Sequence, residues 1–246
     1  MGEGRTTQAL AFSGHVTVEL QDWMGDDRSV AQSARISTVL DWKDGLEEKD
    51  AGLINFLMKN RHGTPFEHNS FKFFVKAPIF VFREFHRHRI GFSYNEMSGR
   101  YTELLPEFYI PSEDRPLVQQ GRAGAYEFVA GSHDQWRDMR ASMENAYYVA
   151  WGEYQDMLHD GVAKEVARMV LPVGIFSQMI VTCNARSLMS FLSLRTKNPG
   201  SAFPSYPQAE IEMVADQMVA DQMEAAWENL MPVTAAAFTA NGRVAP

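Results

Sequence analysis

Two stretches of this sequence hold most of the side chains that could do chemistry. The first runs Arg83, Glu84, Phe85, His86, Arg87, His88, Arg89 and continues through Ser93, Asn95, Glu96, Ser98 and Arg100. The second comprises Asn184, Arg186, Ser187, Ser190 and Arg195. A guanidinium presents a planar fork of donors that matches phosphate oxygens two at a time, and neighbouring Ser, Asn and Glu suit a nucleoside. The bland alternative for a basic run is a solvated helix end, where positive charge is favourable. Phe80, Phe82, Phe85 and Phe92 interleave the first stretch, which is unlike a solvated face.

In the second stretch, helical spacing of 100° per residue puts Asn184, Leu188, Phe191 and Arg195 on one face. Arg186 and Ser190 fall on nearly the opposite face. Arginines on both sides of one helix fit a helix lying between two ligands or at a subunit interface; two surface arginines are the alternative.

The remaining candidates are weaker. Arg168 sits behind a core stripe of Val166, Met169 and Val170, so a surface salt bridge to Glu165 or another carboxylate is its default. His62 and His68, with Thr64 and Glu67 between them, match no standard zinc spacing, and no metal is expected. Cys183 lies in an apolar run, as a buried inert thiol does. The sequence has no Walker A loop, no GxGxxG and no nucleophile elbow.

Composition sets the class. The 246 residues are 45% hydrophobic and 12% aromatic, enough for a packed core. A formal charge of -8 argues against a general nucleic-acid or anionic-membrane binder, while leaving room for an anionic ligand held by local arginines. The single cysteine rules out an intramolecular disulfide and fits a reducing cytoplasm. No secretory or membrane-spanning segment is expected.

The elements that must position these residues follow from periodicity. Residues 1–14 read as a polar mobile arm, and 15–20 alternate as a strand. Helices are predicted over 29–40 and 45–60, followed by loop chemistry at 61–67. Phe71, Phe73 and Val75 alternate as a strand. Pro78 opens a helix over 79–89, which would put Glu84, Arg87 and His88 on one face. Residues 101–110 read as extended and 121–131 as loop. The longest helix is predicted over 134–159, ending at Asp160-Gly161. A short helix over 163–171 stops at Pro172, 173–183 can be strand, and Asn184 N-caps a helix through Leu194. A last helix covers 208–230 and contains MVADQ twice in tandem, at 213–217 and 218–222. No linker divides the chain. The expectation is one α+β domain over 15–235, with a mainly antiparallel central sheet flanked by long helices, and a tail at 236–246.

Arg87-His88-Arg89 followed by Ser93-Tyr94-Asn95-Glu96-Met97-Ser98-Gly99-Arg100-Tyr101 strongly resembles the signature of the flavin-dependent thymidylate synthases. His62 with Thr64-Pro65-Phe66-Glu67-His68 is similar to the family's flavin-contacting loop. Val166-Ala167-Arg168 with Leu171-Pro172 resembles its nucleotide-binding arginine segment, and Asn184-Ala185-Arg186-Ser187-Leu188 through Leu194-Arg195 its C-terminal motif. The likeness runs from about residue 15 to residue 230. Two departures stand out. Eight residues separate Arg89 from Ser98 where many members have seven, the extra one falling at Gly91-Phe92, and Ser190 stands where some members carry Asn.

The resemblance implies reductive methylation of dUMP to dTMP, with 5,10-methylenetetrahydrofolate as carbon donor and NADPH acting through FAD. It implies flavin contacts at His62, Thr64, Arg87, His88, Arg89, Glu96, Asn184, Ala185, Arg186 and Ser190. Nucleotide contacts are implied at Glu84, Phe85, His86, Arg87, Glu96, Met97, Ser98, Gly99, Arg100, Arg168 and Arg195. It further implies a homotetramer whose active sites several subunits build. Arg195 is the expected catalytic residue, stabilising negative charge on the uracil at N3/O4 so that C5 becomes nucleophilic. Ser98 is better read as a phosphate ligand than as a nucleophile, since no His–Asp pair is arranged to activate it. Two other readings stay open: a different flavin or nucleotide enzyme on this scaffold, and a nucleic-acid-binding module using the Arg/His run.

Overall fold

The computed structural model describes residues 9–37, 49–122, 125–215 and 223–246. In chain order the elements are β1 (Ala11–Ser13), β2 (Thr17–Met24), α1 (Asp27–Arg35), α2 (Asp50–Lys59), β3 (Ser70–Pro78), α3 (Ile79–Phe85), β4 (Phe92–Glu96), β5 (Glu107–Tyr109), β6 (Val118–Arg122), β7 (Ala125–Val129) and α4 (His133–His159). They continue with α5 (Lys164–Ala167), β8 (Phe176–Cys183), α6 (Ala185–Arg195), α7 (Ala209–Ala215), α8 (Met223–Leu230) and α9 (Pro232–Ala240). Single 3-10 turns occur at Thr64–Glu67 and Arg168–Val170. The class is α+β.

Contacts group the described residues into two compact units, each discontinuous in sequence. The first gathers residues up to 15, 76–82 and 96–178; the second gathers 16–75, 83–95 and 179–246. The chain passes between them inside β3, α3, β4 and β8, which is why no linker marks the division in the sequence.

In the first unit, β1 pairs in parallel with β5, setting Phe12 opposite Phe108. The core forms where α4 lays Tyr147, Trp151 and Tyr154 against Leu104, Phe108, Ile110, Ala167 and Ile175. Phe108 stacks on Tyr147 with ring centroids 4.6 Å apart. The buried phenols are satisfied: Tyr147 donates to the Tyr109 carbonyl at 2.9 Å, and Tyr154 Oη accepts from the Leu104 N–H at 3.3 Å. α4 starts in a capping box between Ser132 and Gln135.

In the second unit, β2, β3, β8 and β4 lie in that order in a four-stranded sheet. α1, α2, α8 and α9 pack among themselves, α8 also meets β2, and α6 meets α7 and the 3-10 turn at Thr64–Glu67. The buried carboxylate of Asp27 accepts the Val233 and Thr234 N–H groups, each at 2.8 Å, and so caps α9 from the start of α1.

Several expected boundaries move. The helix predicted over 79–89 stops at Phe85, so Glu84, Arg87 and His88 do not share a helical face. Tyr94 explains the stop: its hydroxyl lies 2.8 Å from the Phe85 carbonyl and 2.7 Å from the His88 carbonyl, satisfying helix-end acceptors one at a time. Residues 121–131, read as loop, contain the end of β6 and all of β7, which pair antiparallel with Gln120 opposite Glu127. Residues 92–96, where no strand is expected, form β4. The 1–14 arm holds β1, and the 236–246 tail holds the end of α9 and a buried Arg243. The helices expected over 29–40, 45–60 and 208–230 appear as α1, α2 and the α7/α8 pair; residues 1–8, 38–48 and 216–222, with most of the MVADQ repeat, lie outside the described residues.

Candidate functional site

Helix α6 organises the second unit's share of the predicted residues. Asn184 caps it as expected, its Oδ1 accepting the Ser187 N–H at 2.9 Å. The Ala185 N–H donates to Asn69 Oδ1 at 2.7 Å, and Ser187 Oγ donates to the Ile90 carbonyl at 2.9 Å. This clasps the loop that follows Arg89. Gly91 is required there: its φ is +69°, and a Cβ would come within 2.0 Å of Ser187 Oγ. The chain thus makes a left-handed turn against α6 at Gly91.

At the other end of α6, Arg195 reaches back to the turn after α3. Its Nη1 lies 2.6 Å from Glu84 Oε2, its Nε donates to His88 Nε2 at 3.1 Å, and its Nη2 donates to the Glu84 carbonyl at 3.4 Å. The Arg195 side chain is only 17% exposed. His88 stands edge-on to Phe191 at 4.9 Å. Burial, and then the Arg195 guanidinium, push its imidazole down to about 4. Neutral His88 is therefore the acceptor that Arg195 needs at neutral pH, and the structure joins Glu84, His88 and Arg195 in one network.

The loop at 61–68 is tied to the first turn of α6. Gly63 lies buried beneath the Arg186 guanidinium, and a Cβ there would sit 2.5 Å from Cζ. Arg186 Nη1 meets Glu67 Oε1 at 2.5 Å and Nε donates to the Pro246 carbonyl at 2.6 Å. His62 and Thr64 are exposed beside them, and Ser190 is exposed on α6. Among the described residues, Arg83, Arg87 and Arg89 are exposed and have no carboxylate partner.

Two predicted residues support the site without presenting a group to it. Phe85 is fully buried, stacked on Phe191 with ring centroids 5.0 Å apart, and its carbonyl is taken by the His88 N–H and Tyr94. Ala185 is fully buried and its N–H is used by Asn69. His86 is exposed, with its ring edge-on to Tyr94.

In the first unit, residues 98–102 form a tight turn. The Met97 N–H donates to the Gln178 carbonyl at 2.8 Å, the Ser98 carbonyl accepts from Tyr101 and Thr102, and Ser98 Oγ accepts the Arg100 N–H at 3.3 Å. Gly99 is buried against Arg168, whose Cδ would lie 3.3 Å from an added Cβ. The expected Arg168–Glu165 salt bridge does not form. Glu165 pairs with Arg100 instead, Oε2 to Nε at 3.0 Å, leaving Arg168 without a carboxylate among the described residues. Arg168 and Arg100 thus flank the Ser98 turn, an arrangement that can receive an anion. Glu96 is half-buried at the end of β4.

Sequence reasoning missed Gly63, Asn69, Gly91 and Tyr94, which position other groups; only the glycines gave any signal, as loop punctuation. Cys183 is 2% exposed and burial pushes its thiol far up, so it is no nucleophile. Among the described residues no group of three or more His, Cys, Asp or Glu could hold a metal ion, and no helix is long and apolar enough to cross a membrane.

Comparison with known proteins gives one consistent result. A family profile described as "Thymidylate synthase complementing protein" matches residues 19–227. The flavin-dependent thymidylate synthase of Streptomyces avermitilis is 56% identical over 240 residues, covering 96% of each chain. That of Tropheryma whipplei is 51% identical over 238 residues, 96% of this chain and 97% of its own. Among solved structures, the UMP/dUMP methylase PolB from Streptomyces cacaoi bound with 5-Br dUMP superimposes with a TM-score of 0.89 at 50% identity, covering 96% of this chain and all of that one (100%). The same enzyme bound with 5-Br UMP gives a TM-score of 0.88 at 49% identity, covering 96% and 99%.

Proposed function

The chain belongs to the flavin-dependent thymidylate synthase family, and from that membership we propose how its own residues serve the methylation of dUMP to dTMP. The carbon donor is 5,10-methylenetetrahydrofolate and the reductant is NADPH. FAD, when bound, supplies the hydride chemistry. The residues present fit such a group: Arg87 and Arg89 are exposed without carboxylate partners among the described residues, and Gly63 leaves room for Arg186 to lie across its loop. With His62, Thr64, Glu96, Asn184 and Ser190 they would hold the flavin, while His88 and Ala185 brace them from behind.

The nucleotide phosphate is held by Ser98, Gly99, Arg100 and Arg168. Ser98 Oγ has no imidazole or carboxylate bonded to it among the described residues, so it binds rather than attacks. Glu84, His86, Arg87, Glu96 and Met97 complete nucleotide recognition. Arg195 acts on the base. No thiolate is available to add to the ring, so C5 must be made nucleophilic by a cation at N3/O4 that stabilises the developing negative charge. The observation that carries this role is the seating of Arg195: mostly buried, fixed by Glu84, and bonded to an imidazole that burial keeps neutral, so that His88 orients the guanidinium without adding a competing charge.

The chain works as a homotetramer in the cytoplasm, a compartment that suits its lone, buried, free thiol. Release of tritium from 5-tritiated dUMP, with FAD, NADPH and methylenetetrahydrofolate omitted in turn, tests the assignment. Release that persists without flavin refutes it. A second reading, methylation of UMP, is favoured by the likeness at about half identity to an enzyme that takes both nucleotides. 5-Tritiated UMP run alongside decides between them.

A further inference from the structure

Next to Arg195 lies a second buried polar network that the reaction does not use directly. Thr196 follows Arg195 at the C-cap of α6, and its backbone and side-chain groups are fully engaged. Its N–H donates to the Leu192 carbonyl at 3.1 Å, and its Oγ1 donates to the same carbonyl at 2.8 Å. Its carbonyl accepts from Ser205 Oγ. Its Oγ1 also accepts from Arg243 Nη2 at 3.0 Å. Arg243 is 3% exposed and holds Glu224 of α8 by two bonds, Nη1 to Oε1 at 2.6 Å and Nη2 to Oε2 at 2.9 Å, with Glu224 itself 5% exposed. Phe238 lies 5.0 Å from the guanidinium. Arg243 reaches this place from a left-handed backbone position, φ +54°, just past α9.

A buried ion pair is a poor source of net stability, because desolvating both charges offsets most of their attraction. Its geometric effect is different. A planar fork held by two bonds to one carboxylate is fixed in its plane, so the second hydrogen on Nη2 points in one direction, while Nε stays buried without a partner among the described residues. That Nη2 donor meets the hydroxyl that closes α6, one residue after Arg195.

We propose that the Glu224–Arg243 pair is a positioning device: through Thr196 it locks the end of α6 so that Arg195 is presented to the nucleotide base in one orientation. The inference rests on the role given above to Arg195. Thr196, Glu224 and Arg243 are positioning residues and touch no substrate. A displacement of about 1 Å at a catalytic group can cost on the order of 100-fold in rate, so a loose α6 end should show in turnover before it shows in folding.

The test is a panel on the full-length holoenzyme, measuring kcat, KM for dUMP, flavin affinity and melting temperature. Thr196→Val keeps the buried volume but deletes the hydroxyl; Thr196→Ser restores it. Asp27→Asn weakens the cap of α9 without touching Thr196 and serves as the stability control. Arg195→Ala tests the premise. The expected result is a kcat loss of tenfold or more, on the order of what misplacing a catalytic group costs, in Thr196→Val. Flavin affinity should stay unchanged, kcat should recover in Thr196→Ser, and Asp27→Asn should lower the melting temperature with kcat intact. Wild-type kcat in Thr196→Val alongside an inactive Arg195→Ala overturns the positioning role alone. A kcat loss in Asp27→Asn that matches its loss of melting temperature also overturns it, because stability would then explain both variants. An active Arg195→Ala overturns the premise and the inference together.

Discussion

In the proposed mechanism Arg195 is the residue that acts on the uracil ring. Changing it to Ala should abolish dTMP formation while the protein still folds and still holds flavin. Single-turnover kinetics with pre-reduced flavin separate this step from NADPH oxidation. The expected loss is about 10²–10³ in rate, the usual cost of removing one preorganised donor aimed at developing charge. A near wild-type rate would make Arg195 a binding residue only. Arg168 carries a different prediction, because the structure frees it from the salt bridge that its neighbour Glu165 could have made. Arg168→Ala should weaken dUMP binding by about 2–5 kcal/mol, as losing a charge-assisted contact does, and spare FAD binding. Titrating dUMP against flavin absorbance checks it.

His88 gives a pH prediction with a definite sign. Its folded imidazole is held near 4 against an ordinary 6.5, first by burial and then by Arg195. The unfolded chain therefore binds the proton more readily than the folded one. The stability associated with neutral His88 is fully present above about 6.5 and is lost as pH falls through the window down to about 4. His88→Asn should flatten the fall of melting temperature across that window, measured against wild type. An unchanged slope would mean that the imidazole titrates normally in the fold.

At the scale of elements, the loop after Arg89 is the tightest joint. Gly91→Ala should destabilise the protein by at least the 1–2 kcal/mol or so that a left-handed conformation costs a residue with a side chain. It should also weaken flavin binding, because the new methyl would push Ser187 away from the Ile90 carbonyl. Wild-type flavin affinity in a folded Gly91→Ala would show that the joint is not what presents Arg87 and Arg89. The joint also shows what could be read in advance. Asn184 as an N-cap, α4 and the two arginine-bearing stretches were legible because caps and long apolar periodicity act locally. The end of α3 was not, because a tyrosine nine residues along the chain decides it. The β6–β7 hairpin was invisible because its residues are mostly exposed and lack alternation. The second half of α9 falls in the stretch expected as a tail, 236–246, because what holds it comes from distant partners, the Asp27 cap and the packing on α2. The network of Glu84, His88 and Arg195 was legible in residue type but not in contact: nothing in the sequence says that Arg195 bonds Glu84 and His88 across a hundred residues.

For the whole molecule, the decisive prediction is assembly. A chain with a formal charge of -8 repels itself, so assembly needs a specific apolar surface and moderate salt to screen the charge. The first unit shows such a surface around Arg168, which has no carboxylate partner among the described residues. Val166, Met169 and Val170, expected as a core stripe, lie on the surface instead: Met169 is 75% exposed, with Val166, Val170 and Val173 between 39% and 49%. Contiguous exposed apolar residues of this kind mark interaction sites in folded proteins. Placed at a subunit contact they would be covered, and Arg168 beside them would be delivered into a site that a neighbouring subunit helps to build. Light scattering in moderate salt should give a mass four times that of the 27.8 kDa chain. Met169→Glu adds a charge where water already reaches, so the isolated subunit should keep its fold, while covering that charge at a contact should dissociate the assembly and lower dUMP affinity with it. A stable wild-type monomer that binds FAD stoichiometrically would end the tetramer reading. An intact tetramer in Met169→Glu would move the contact to another face and leave Arg168 to work within its own subunit.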